Sequence, residues 1–118
     1  MNTLFEYMYR DASNYKRFGF IVFGGRYTPV HVARLKVALD DGEHFIAHQL
    51  KIPEVFHWLD VYPKNEDDHC WHEYDGMSDT EDAQTDPRTI EEFIKDVEAA
   101  AAVGWLVWDP LNEKRPEP

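Results

Sequence analysis

The chain has one cysteine, no apolar segment long enough to span a bilayer, and few cations: 12 lysines and arginines stand against 23 carboxylates in 118 residues. A single cysteine excludes an internal disulfide framework, and with it the small secreted scaffolds that depend on one. The first twenty residues, MNTLFEYMYRDASNYKRFGF, hold no positively charged leader followed by an apolar run. The expectation is a soluble cytoplasmic protein that does not enter a membrane. Paired CxxC and helical HExxH patterns are missing. FGGRYTP, residues 23 to 29, has two glycines ahead of a helix start but lacks the further glycine and the lysine of a phosphate loop.

What is present is apolar and aromatic. Hydrophobic residues make up 43 %, with four tryptophans, six tyrosines and seven phenylalanines, enough for one core in one domain spanning residues 1 to 118. The formal net charge of -11 is unevenly placed. Residues 1 to 59 carry 6 carboxylates and 7 basic residues, residues 60 to 92 carry 12 and 2, and residues 93 to 118 carry 5 and 3. A segment so acidic repels nucleic-acid phosphates and attracts basic surfaces, so the expectation is no direct nucleic-acid binding. Its plainer reading is a solvated loop that keeps the protein soluble.

Residues 3 to 9, TLFEYMY, alternate Leu4, Glu6 and Met8 against Phe5, Tyr7 and Tyr9, which predicts a strand with one buried face. Asp, Ser and Asn in residues 10 to 14 break it, and FGFIVFGG, residues 18 to 25, predicts an antiparallel second strand. Thr28 before Pro29, then Val32, Leu35 and Leu39, then Gly42, predict a capped helix over residues 29 to 41. Residues 44 to 50 fit a short strand or a helical turn. Thr89 and Glu92 form a capping box ahead of the stripe Ile90, Phe93, Val97 and Ala101, which predicts a second helix from residue 87 or 88 to about 102, ended by Gly104. WLVW, residues 105 to 108, suits a closing strand, and residues 110 to 118 a frayed tail. This order predicts a small α+β domain, a mostly antiparallel sheet with two helices on one face and the other face or an edge left free.

The stretch NEDDHCWHEYDGMSDTEDAQTD, residues 65 to 86, places two histidines and the cysteine among nine carboxylates. If HCWHEYD is extended, Cys70, His72 and Tyr74 point one way and His69, Trp71 and Glu73 the other. At most two ligands then converge locally, and a metal would need a distant donor such as His44, His48 or His57. Acidic neighbours raise a thiol pKa, so Cys70 is a poor nucleophile. Arg10, Lys16, Arg17 and Arg26 alternate with Tyr9, Tyr15 and Tyr27, which resembles a small nucleic-acid or acidic-peptide surface but fits strand ends with solubilising charges better.

YMYRDASNYK (7 to 16), DDGEHFI (40 to 46), DDHCWHEYD (67 to 75) and TDPRTIEEF (85 to 93) resemble blocks of a group of small acidic bacterial and phage-borne proteins, over roughly residues 4 to 97. The resemblance implies a prokaryotic or phage cytoplasmic context and supplies no mechanism.

These readings converge on a non-enzymatic interaction module with no cofactor, whose acidic segment engages a basic protein surface of a nucleic-acid-handling complex or a toxin. Asp67, Asp68, Glu73, Asp75, Asp79, Glu81 and Asp82 would supply the charge, with Trp71 and Tyr74 as anchors. The alternative is a metal-binding protein or enzyme using His69, Cys70 and His72. An exposed WLVW edge would also pair with a second copy of the chain.

Overall fold

The computed structural model describes residues 1–59 and 63–117. Asp60, Val61 and Tyr62 at the start of the acidic segment, and Pro118 in the tail, lie outside the described residues. Strand β1 (Asn2–Arg10) follows the alternation in its sequence: Thr3, Phe5, Tyr7 and Tyr9 are buried on the core side. Strand β2 (Lys16–Phe23) pairs with it antiparallel, Tyr7 opposite Gly19 and Glu6 opposite Phe20. The five-residue connection is closed by Asp11, whose Oδ1 accepts the Tyr15 N–H at 2.9 Å, and by Asn14 at φ 69°, a left-handed position asparagine tolerates.

Helix α1 (Pro29–Ala38) starts as its cap predicts, the Thr28 hydroxyl accepting the His31 N–H while His31 Nδ1 accepts the Thr28 N–H at 3.0 Å. It stops three residues early. Leu39 turns extended, and a turn with Asp41 and Gly42 at positive φ leads into β3 (His44–Phe45). The ambiguous segment after it holds both candidates in succession, β3 and then the one-turn helix α2 (Ala47–Leu50).

Strand β4 (His72–Thr80) corrects the reading of the acidic segment as a solvated loop. The sheet order is β2-β1-β4-β3, so this stretch is an inner strand. His72, Tyr74 and Met77 face Phe45, Tyr7 and Phe5 across the ladder, and the register slips at Asp75, the extra residue of a bulge. Inward apolar and aromatic side chains hold the strand in place, while Glu73 and Asp79 are ion-paired with Arg10 and Arg26 and Asp75 is exposed at the bulge.

Helix α3 (Ile90–Val103) has the expected Thr89–Glu92 capping box and buries Ile90, Phe93, Ile94, Val97 and Ala100. Phe93 stacks on Phe23 at 4.2 Å and meets Phe5 edge-on at 5.1 Å. Leu35 and Leu39 join the same core, so both long helices cover one face of the sheet. Arg34 ties the helices together, bonding both oxygens of Glu91 and of Glu98.

WLVW is not a strand. Leu106 N–H goes to Gln49 Oε1, Trp105 Nε1 to the Ala38 carbonyl and Trp108 N–H to Cys70 Sγ, so the segment is fixed by side chains with no ladder partner. Trp108 joins a second core of Tyr9, Ile46, Phe56 and Cys70. The tail beyond it is held by Arg115, which pairs with Glu54 and lies 4.2 Å over the Trp108 ring. No helix among the described residues is long and apolar enough to cross a membrane.

Candidate functional site

Two places in this fold gather chemistry. The first lies where the β1–β2 connection meets the loop before β4. His57 sits on a short 3-10 turn (His57–Leu59), and its Nε2 is 3.1 Å from Asp11 Oδ2 and 3.0 Å from Asp68 Oδ1. Carboxylates can only accept here, so Nε2–H is the shared donor. The side chains are 6 % (Asp11), 7 % (His57) and 0 % (Asp68) exposed. Each carboxylate is fixed by further donors. Asp11 Oδ1 takes the Tyr15 N–H, Asp68 Oδ2 takes the Asn65 N–H at 2.9 Å, and the Tyr9 hydroxyl donates to Asp68 Oδ1 at 2.7 Å. Burial first, and then the bond to Asp68, raises the Tyr9 hydroxyl well above its usual range, so it remains a donor. A cleft of about 290 Å³ lined by Asp11, Ser13, Tyr15, His57, Asn65 and Asp67 opens onto the group.

The second place is the outer face of the sheet, which neither long helix covers. Phe18 and Phe20 project from β2 there at 51 % and 65 % exposure, with Met8 and Glu6 opposite them on β1. Beyond β1, the positions on β4 opposite Glu6 and Met8 are Gly76 and Glu73.

The residues singled out in the sequence are divided by the fold. Asp68 belongs to the buried cluster and is not a surface group. Glu73 is gripped by both Nε and Nη2 of Arg10 at 3.0 and 3.2 Å. Asp67 is half-buried and accepts from Ser13, Asp79 pairs with Arg26 at 3.2 Å, and Tyr74 stacks on Phe5 inside the core. Trp71 is half-buried against the second core. Asp75, Glu81 and Asp82 are exposed and, among the described residues, form no ion pair.

His69, Cys70 and His72 are not brought together as ligands. His69 Nδ1 accepts the Trp71 N–H and its Nε2 donates to the Arg10 carbonyl at 2.7 Å. His72 is buried and uses Nε2 to accept the Val55 N–H. Burial pushes the Cys70 thiol up, the same direction as expected but with desolvation as the main cause and Asp109 a lesser one. Among the described residues the one group of three close ligand-type side chains is Asp11, His57 and Asp68. Sequence reasoning named His57 only as a distant donor and missed Asp11, which reads there as a turn residue.

No family model, curated protein or solved structure matches the chain.

Proposed function

We propose that the protein is an interaction module that docks the outer face of its sheet onto a basic protein surface. The observation that carries the reading is the side of the sheet away from the long helices, where Phe18 and Phe20 of β2 stand at half exposure or more beside Met8 and Glu6 of β1. Apolar side chains gathered on one face of an otherwise charged protein mark contact surfaces. Charge selects the partner: the chain carries -11, and Asp75, Glu81 and Asp82 add carboxylates at the β4 bulge and beyond the strand's end. Aromatics would anchor the contact while the carboxylates steer a lysine- and arginine-lined cleft toward it. In a phage setting such a module would occupy the phosphate channel of a nucleic-acid-handling complex; in a toxin setting it would be an immunity protein.

Affinity capture from the native host, run at low and high salt with wild type and a Phe18→Ser/Phe20→Ser double variant, tests the reading. Wild type should retain a basic partner at low salt and lose it at high salt. The double variant should fail at both, because its apolar anchors are gone while the core is untouched. A partner held equally by both proteins sinks the proposal.

A further inference from the structure

We propose that Asp11, His57 and Asp68 form a binding site for a divalent first-row transition-metal ion. His57 Nε2 lies 3.1 Å from Asp11 Oδ2 and 3.0 Å from Asp68 Oδ1, and the three ligand atoms all lie within 4.8 Å of one another. An ion held at about 2.1 Å by imidazole nitrogen and carboxylate oxygen sets neighbouring ligands about 3.0 Å apart in an octahedron and about 3.4 Å apart in a tetrahedron. Both of these separations are already of that size. A modest movement seats an ion among the three atoms without unfolding any element.

Charge gives an independent argument. Two carboxylates and one imidazole share the buried cluster. Among the described residues, neither carboxylate has a lysine or arginine within ion-pair distance; their ion-pair contacts are to His57. Uncompensated charge is expensive in an interior. A divalent ion with neutral His57 and both carboxylates sums to zero. As a ligand, His57 offers the Nε2 lone pair and carries its ring proton on Nδ1.

The outer arrangement is that of an oriented ligand set. Tyr15 N–H and Asn65 N–H each hold the carboxylate oxygen turned away from His57, and Tyr9 fixes the rotation of Asp68. Donors of this kind keep ligand oxygens aimed at an ion. The donor set is one nitrogen and two oxygens, which suits zinc, manganese, iron(II) or cobalt rather than a thiolate-seeking ion. The cleft beside Ser13, Asn65 and Asp67 gives the ion a way in and leaves room for water or a small ligand on its open side.

Isothermal titration of untagged protein with Zn2+, paired with the visible spectrum of the Co2+ complex, tests the site. Wild type should bind one ion per chain, and the Co2+ form should show d–d bands without a thiolate charge-transfer band. Asp11→Asn and His57→Gln should each weaken Zn2+ binding more than a hundredfold, Tyr9→Phe roughly ten- to a hundredfold, and Cys70→Ser not at all. Circular dichroism checks the fold of each variant. Wild type alone decides if the ligand variants do not fold: failure to bind Zn2+, or a thiolate band with Co2+, overturns the assignment. Folded Asp11→Asn that binds as tightly as wild type overturns it as well.

Discussion

His72 Nε2 accepts the backbone N–H of Val55 at 3.0 Å, deep between Phe45, Phe56 and Tyr9. A backbone amide can only donate, so that nitrogen carries no proton and the imidazole is neutral with its hydrogen on Nδ1. Burial, with His69 a lesser influence, pushes the His72 pKa down to about 3 from an ordinary 6.5. Below the ordinary value the unfolded chain takes up a proton that the folded chain refuses. Stability from this residue is therefore complete above about pH 6.5 and falls as pH drops toward 3, by about 1.4 kcal/mol per pH unit. Urea titrations between pH 6.5 and 4 should show a shallower loss for His72→Gln, which keeps an acceptor but does not titrate. Equal slopes in the two proteins would refute the assignment.

Gly19 lies opposite Tyr7, and the ring covers it. A Cβ there would sit 2.6 Å from Tyr7 Cζ, and the ring is anchored because its hydroxyl donates to the Pro53 carbonyl at 2.6 Å. Gly19→Ala should destabilise by about 1–3 kcal/mol through this forced overlap. Gly76→Ala meets no atom within 4 Å. Its effect should stay within about 0.5 kcal/mol. Denaturant midpoints for the two variants make the comparison.

Cys70 is 2 % exposed, and burial raises its thiol pKa. Reaction with a water-soluble thiol reagent should be very slow in the native protein and fast in urea, since only the exposed thiolate attacks. Rapid native labelling at neutral pH would show that the second core opens readily.

How far the sequence carries the reader depends on which signal is local. β1, β2 and both long helices are legible because period-2 alternation and the cap pairs Thr28–Pro29 and Thr89–Glu92 are properties of adjacent residues. β4 is hidden because its charge dominates a residue count, while its inward set His72, Tyr74 and Met77 is thrown out of period by the bulge at Asp75. WLVW misleads in the opposite way. Its composition suits a strand, but Gln49 of α2 takes the Leu106 amide, and Trp105 and Trp108 are drawn into separate contacts. The Asp11–His57–Asp68 group leaves no local trace, since Asp11 and His57 are 46 residues apart and meet only when the hairpin closes over the 65–69 loop.

The same division separates the carboxylates by what they do for the fold. Asp68 accepts from Tyr9, Asn65 and His57 with none of its side chain exposed, and Ala12 N–H bonds the neighbouring Asp67 carbonyl, so this loop is stitched to the hairpin. Asp68→Asn puts an amide where donors converge and removes the charge they favour. The loss should be roughly 2–4 kcal/mol, the scale of disrupting charged hydrogen bonds in a buried group. Asp75, Glu81 and Asp82 are exposed, without an ion pair among the described residues, in a chain of net charge -11. Changing these three to Asn or Gln relieves repulsion and should leave stability unchanged or slightly higher, and more visibly so at low salt, where screening is weak. Melting temperatures of both variants at about 20 and 500 mM salt decide the matter. If the triple variant melts well below wild type, those carboxylates hold structure and are not a free surface; if Asp68→Asn melts with wild type, the buried cluster does not hold the loop.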